Sequence, residues 1–251
     1  MNLDNIRIVL VNTTHPGNIG GVARAMKNMG FHNLVLVAPK RFPHEQATWR
    51  AVGADDLLAN AQITDTLEEA LADCHYVVGT SARGRRIPWP ILDPKGCAKR
   101  VEVESVKGQV AIIFGREDRG LKNEELQQCH LHVHIPSCED YSSLNLAMAV
   151  QIICYEVRML LLEPTLSADE LDQWDVELGT MDNLERFYEH LEQTLVDIGF
   201  LDRAVPRQLM VRLRRLYSRV RMDEIELNIL RGILSETQHW AKKAKSLEKL
   251  E

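Results

Sequence analysis

The chain has 251 residues, 45% of them hydrophobic and 26% charged, enough for a genuine core in one large or two small domains and too apolar for a disordered chain. Neither a secretory leader nor a stretch long enough to span a membrane is present, so a cytoplasmic protein is expected. Its five cysteines, Cys74, Cys97, Cys129, Cys138 and Cys154, are odd in number and lack CxxC spacing, which argues against a disulfide framework and a zinc site.

In chain order, β-branched runs at Ile6 to Val11, Leu34 to Val37, Tyr76 to Val78, Val110 to Phe114 and His132 to Ile135 are predicted strands. Helical patterns begin near Asn18, Pro43, Leu67, Lys122 and Ser142. Near-continuous apolar strands alternating with helices predict an α/β domain whose parallel sheet is covered on both faces. The ligand site then falls in loops at the carboxyl ends of the strands. His130, His132 and His134 alternate as strand residues do, without a companion carboxylate or cysteine motif, and no metal is predicted.

The loop after the first strand, Asn12 to Arg24 (NTTHPGNIGGVAR), has glycines that let a backbone or phosphate approach closely, but it is not GxGxxG. A dinucleotide site would place an acid after the second strand, and Lys40 and Arg41 stand there instead, which disfavours hydride chemistry. The later strands lead into Gly79-Thr80-Ser81-Ala82 and Phe114-Gly115-Arg116-Glu117, and Tyr141-Ser142-Ser143-Leu144-Asn145 opens a strongly apolar helix. The two serines are read either as a helix cap or as ligand contacts at unpartnered N–H groups. Small hydrogen-bonding loops after several strands of one sheet point to a nucleoside-like ligand.

From Glu163 to Asp182 there are seven acids and no Lys or Arg, the composition of an acidic linker. Beyond it, Leu184, Phe187, Tyr188, Leu191, Leu195 and Ile198 follow helical spacing, as do Leu209, Leu213, Leu216, Tyr217 and Val220. A third helix carries Ile225, Ile229, Leu230, Ile233 and Leu234, and the last residues from Lys242 are expected to fray. The segment Arg203 to Arg221 holds seven arginines and no acid, which favours a polyanion contact over a solvated face. The domains expected are therefore 1–162, a linker at 163–182, and a small all-α domain at 183–251.

Taken in this order, the segments Asn12 to Arg24, Gly79 to Ala82, Phe114 to Glu117 and Tyr141 to Val150 resemble the SPOUT family of RNA 2'-O-methyltransferases, and the likeness runs essentially end to end. The resemblance implies a SPOUT-type parallel sheet with a C-terminal trefoil knot, an exception to the rule against threading, in a homodimer. It also implies methyl transfer from S-adenosylmethionine to the ribose 2'-hydroxyl of cytidine or uridine at nucleotide 32 of the tRNA anticodon loop.

Carried over position by position, the resemblance puts the cofactor against Thr80, Ser81, Ala82, Gly115, Ile135, Ser142, Ser143 and Leu144. It makes Arg24 catalytic, assisted by a serine of the Ser142–Ser143 pair. Guanidinium stays protonated, so Arg24 is read as an oxyanion and phosphate clamp rather than a literal base. Asn18 is assigned to capping its helix, Glu117 to holding Arg116 or Arg24, and Asn145 to fixing the Ser142 turn, all supporting roles. Arg212, Arg214, Arg215 and Arg219 are the candidate tRNA contacts, those aimed inward being structural. The competing readings are a ribosomal RNA methyltransferase of the same fold and a catalytically silent RNA-binding protein, against which an intact Arg24 and cofactor set argue.

Overall fold

The computed structural model describes residues 1–81, 90–138, 140, 142–162, 176–204 and 208–247. It forms two compact units, Met1–Gln173 and Trp174–Glu251. Ala82, Tyr141, Arg207 and linker residues 163–175 lie outside the described residues.

The first unit is a sheet of seven strands, β1 (Ile6–Val11), β2 (Asn33–Val37), β3 (Gln62–Thr64), β4 (Tyr76–Thr80), β5 (Ile91–Leu92), β6 (Val110–Phe114) and β7 (Leu131–Val133). Their order is β3-β2-β1-β6-β4-β7-β5, and all pairings are parallel. The central strands are apolar at successive positions because both faces are covered: Ile6, Ile8, Val9 and every residue of β6 are fully or almost fully buried. The helices of this unit are α1 (Pro16–Met29), α2 (Glu45–Ala51), α3 (Asp55–Ala59), α4 (Leu67–Leu71), α5 (Pro94–Lys107), α6 (Asn123–Leu126) and α7 (Leu146–Leu162).

Strands β1 and β6 have the predicted limits, while β4 runs two residues further, to Thr80, and β7 stops at Val133. Two short strands, β3 and β5, and two helices, α3 and α5, are additions. Helix α5 escaped the periodicity test because its buried face is Pro94, Cys97, Ala98, Val101, Glu104 and Ser105, a mixture of small and polar groups. Its start is nonetheless written locally: Asp93 accepts the Gly96 N–H at 2.7 Å and Pro94 opens the first turn.

The helix expected at Ser142 begins at Leu146. Asn145, not a serine, is the capping side chain, accepting the Ala147 N–H at 3.0 Å. Ser142 and Ser143 stay in the loop before it. The predicted start of α1 near Asn18 moves to Pro16, whose missing N–H suits a first helical position. Asn18 is therefore inside the first turn and does not cap it.

Helices α1 and α2 meet at Gly20. A Cβ there would lie 2.0 Å from the Ala47 carbonyl oxygen, a backbone atom that cannot swing aside. Gly20→Ala is thus expected to destabilise the first unit by about 3 kcal/mol, near the upper end of overpacking costs. Urea unfolding followed by tryptophan fluorescence measures it, and an unchanged midpoint would show that the two helices separate freely.

The second unit holds α8 (Met181–Asp197), α9 (Leu209–Val220) and α10 (Glu224–Leu247). The end of the acidic stretch belongs to it: Leu178 bridges Asp223, and Thr180 caps α8 by accepting the Asn183 N–H at 3.3 Å. Asp223 and Glu226 form a reciprocal capping box that starts α10. Of the residues expected to fray, α10 includes those through Leu247, and 248–251 lie outside the described residues. The Lys245 ammonium donates to the Asp197 carbonyl at the end of α8, at 2.6 Å, where the helix dipole favours a cation.

Candidate active site

Three neighbouring strands, β6, β4 and β7, end at one cavity of about 190 Å3. Thr80 and Ser81 arrive from β4, Phe114 to Leu121 from β6, and Val133 and Ile135 from β7. The loop before α7 supplies Ser142, Ser143 and Leu144, and α7 itself Leu146 and Ala149. Seven of the eight positions expected to hold the cofactor therefore meet here: Thr80, Ser81, Gly115, Ile135, Ser142, Ser143 and Leu144. Ser81 is fixed by its N–H, which donates to the Val133 carbonyl at 3.0 Å, and by its carbonyl, which accepts the His134 Nδ1–H at 3.1 Å.

The loop after β6 is a tight hairpin. Arg116 and Gly120 exchange backbone hydrogen bonds at 3.2 and 2.8 Å, and Gly120 has φ +67°, a conformation that favours glycine. Gly115 closes its base, where a Cβ would fall 2.0 Å from the Gly120 carbonyl carbon. Sequence reading missed the anchor of this hairpin. Arg116 donates to both Glu125 carboxylate oxygens, at 2.8 and 3.0 Å, and to the Asn12 amide oxygen. The pair is nearly out of water, with side chains 13% and 12% exposed. The available signal was Glu125 three residues after Lys122, the spacing of a capping box, whose N–H it accepts at 2.6 Å.

Glu117 holds neither Arg116 nor Arg24, contrary to expectation. It accepts from the Thr14 hydroxyl at 2.9 Å, the His15 N–H at 3.1 Å, the Thr14 N–H at 3.1 Å and the Asn18 amide at 3.0 Å. His15, the residue capping α1, makes no side-chain cap bond of its own, so a carboxylate about a hundred positions away serves that end of the helix. Burial raises the Glu117 pKa, but the bonds from Asn18, His15 and Thr14 outweigh it and bring the group down to about 2. Asn18 in turn accepts from the Asn145 amide at 3.0 Å. Glu117, Asn18 and Asn145 thus chain the hairpin, α1 and α7 together, while the Ser142 carbonyl is held by the Ser137 hydroxyl rather than by Asn145.

Arg24 lies on α1, exposed, and is not among the residues lining the cavity. The histidine alternation is structural: His130 Nδ1 accepts the Val77 N–H at 3.0 Å, and His132 Nε2–H donates to the Leu126 carbonyl at 3.0 Å. Among the described residues no group of three or more His, Cys, Asp or Glu could hold a metal ion. None of the described helices is long and apolar enough to cross a membrane.

In the second unit, the candidate arginines divide. Arg214 donates to both Glu185 oxygens at 2.6 and 2.7 Å and lies 4.4 Å from the centre of the Tyr188 ring, so it is committed to the fold. Arg215 is half-buried, whereas Arg212 and Arg219 are exposed on α9.

Residues 5–155 match the SpoU rRNA Methylase family, the class that this sheet and cavity define, and residues 182–248 match the C-terminal domain of the tRNA methyltransferase TrmJ. The chain is 58% identical, over 96% of both proteins, to the tRNA (cytidine/uridine/adenosine-2'-O-)-methyltransferase TrmJ of Pseudomonas aeruginosa (strain UCBPP-PA14). It is 55% identical to the tRNA (cytidine/uridine-2'-O-)-methyltransferase TrmJ of Salmonella typhimurium, over 94% of this chain and 97% of that one. Among solved structures, TrmJ from Z. mobilis ZM4 superposes with a TM-score of 0.80 at 32% identity, covering 92% of this chain and 97% of that one. The chain belongs to the TrmJ family of methyltransferases.

Proposed function

We propose that this chain methylates the ribose 2'-hydroxyl of cytidine or uridine at nucleotide 32 of the tRNA anticodon loop, using S-adenosylmethionine, as a cytoplasmic homodimer. The carrying observation is the convergence of seven sequence-predicted contacts on one cavity at the carboxyl ends of β4, β6 and β7. The relatives' names, which specify tRNA 2'-O-methylation, support the substrate class.

The cavity's chemistry fits the cofactor. Phe114, Leu121, Val133, Ile135, Leu144 and Leu146 offer apolar walls to a purine, strand ends offer peptide groups to its edge, and Glu117 and Asp118 put carboxylates beside a cationic ligand. When bound, S-adenosylmethionine supplies a methyl carbon on positively charged sulfur, which departs as the neutral thioether. The chain's own task is to hold the 2'-oxygen in line and to stabilise charge as its proton leaves to a neighbouring group or water. Arg24 is proposed as that oxyanion clamp, with Ser142 or Ser143 assisting. Because Arg24 does not line the cavity of its own chain, a second copy is proposed to present it.

A trefoil knot is proposed for the end of the catalytic domain. The support is that β7, latest of the strands in sequence, lies between β4 and β5. In the helical domain, Arg212 and Arg219 are the proposed tRNA contacts.

The test is transfer of labelled methyl from S-adenosylmethionine to unmodified tRNA transcripts, with a 2'-deoxy residue at nucleotide 32 in a parallel substrate. Label in the intact tRNA alone fixes reaction and position. Label only in ribosomal RNA fragments would transfer the chain to the sister activity.

A further inference from the structure

A second cavity, of about 610 Å3, lies on the other side of the hairpin after β6. Asn12 and Thr14 line it from the end of β1, Lys40 from the end of β2, and Lys122 from the start of α6. The hairpin contributes Arg116 and Asp118 to both cavities, so a single loop separates them.

This cavity sits where β1 has β2 on one side and β6 on the other, the point at which the chain reverses direction across the sheet. Doubly wound sheets bind ligands in the crevice at that reversal. The seven expected cofactor residues that are described line the neighbouring cavity and none lines this one, which leaves it unassigned. Its wall is firmly held: Asn12 keeps φ +50° because its N–H donates to the Val37 carbonyl at 2.8 Å, its amide donates to the Ala38 carbonyl at 3.2 Å, and its amide oxygen accepts from Arg116.

Its charges indicate the ligand. Arg116 is committed to Glu125, and the Arg119 at the tip pairs with Asp118 at 3.0 Å. Lys40 and Lys122 are exposed and make no ion pair within 4 Å among the described residues, although the Lys122 charge acts on Glu125 and the Glu124 carboxylate also borders the cavity. The Lys40 backbone is fixed by its N–H, which donates to the Thr13 carbonyl at 3.0 Å. An acid at this place after β2 would grip a ribose diol, whereas an ammonium grips an anion.

We propose that this cavity binds a backbone phosphodiester of the substrate RNA between Lys40 and Lys122, fixing the strand one loop's thickness from the reacting ribose. The proposal rests on the RNA-methylating reading above. It is tested on the full chain with the double variant Lys40→Gln/Lys122→Gln, by filter binding of unmodified tRNA across a potassium chloride series and by steady-state methyl transfer. The salt dependence of log K is expected to flatten by about one unit per lysine, with KM for tRNA rising on the order of tenfold and cofactor affinity retained. Lys40→Arg/Lys122→Arg is expected to restore both.

An unchanged slope and KM would overturn the proposal. So would an equal loss from Lys95→Gln/Lys99→Gln, two exposed α5 lysines that line neither cavity, since bulk charge would then account for the effect. If the unaltered protein binds tRNA but methylates none, the functional reading falls, while the binding slope still judges the cavity.

Discussion

Replacing Arg24 with alanine is expected to slow methyl transfer roughly 10²- to 10³-fold, the scale of losing one preorganised donor to a developing oxyanion, while cofactor affinity stays within about twofold. Arg24 is an exposed residue of α1 that lines neither cavity, so truncating it removes nothing from the place where seven predicted cofactor contacts meet. Single-turnover rates and calorimetric cofactor titration separate the two effects. Mixing tells which chain Arg24 serves. With Arg24→Ala and a cavity-filling Leu144→Trp variant allowed to exchange subunits, action across a dimer restores roughly a quarter of wild-type activity. No recovery would assign Arg24 to its own chain's cavity, and an Arg24→Ala enzyme of normal rate would remove it from the chemistry altogether.

Glu117→Gln is expected to cost about 1–2 kcal/mol at neutral pH, allowing for partial exposure, and to lower turnover on the order of 10²-fold. The carboxylate accepts from two backbone amides, a hydroxyl and an amide side chain. Glutamine keeps the volume but turns an N–H2 toward donors, and it loses the charge that serves the α1 N-terminus. Through that end the substitution is expected to disturb the helix bearing Arg24 as well as the wall of the first cavity. The pH dependence follows from the lowered pKa. A carboxylate held near 2 in the folded state, against an ordinary 4.5, contributes stability that is complete above about 4.5 and is lost as pH falls toward 2. Thermal melts across that window should therefore converge for the two proteins as pH falls. Parallel curves would show that ionisation of Glu117 is not linked to stability.

Much of the catalytic unit was legible because its signals are local. The runs Ile6–Val11 and Val110–Phe114 are uninterrupted apolar strands whose limits follow from composition alone. The second unit's α8 likewise announced itself through Leu184, Phe187, Tyr188 and Leu191, which are all buried. Helix α5 was missed because its inward face is small and polar, although Asp93-Pro94 marked its start. The edge strand β5, two residues long, is too short for any alternation to register. At the site, three of the four segments carrying the family resemblance supply cavity residues, while Asn12 to Arg24 supplies none and Asp118 to Leu121, Val133 and Ile135 come from outside those segments.

Sequence by itself determined the alternation of strands and helices, the division into an α/β unit and a helical unit, and the set of loops from which a nucleoside site could be built. These follow from periodicity, caps and composition, whose physics spans a few residues. Only the tertiary structure decided that Glu117 serves the start of α1, that Asn145 caps α7, that Arg214 belongs to Glu185 and Tyr188, and that Lys40 and Lys122 face one cavity. Each joins or selects groups by where the packed chain puts them. Charge and hydrogen-bonding capacity can be read from a residue's identity, but its partner is fixed by strand order, and Glu117 meets His15 because β6 pairs directly with β1.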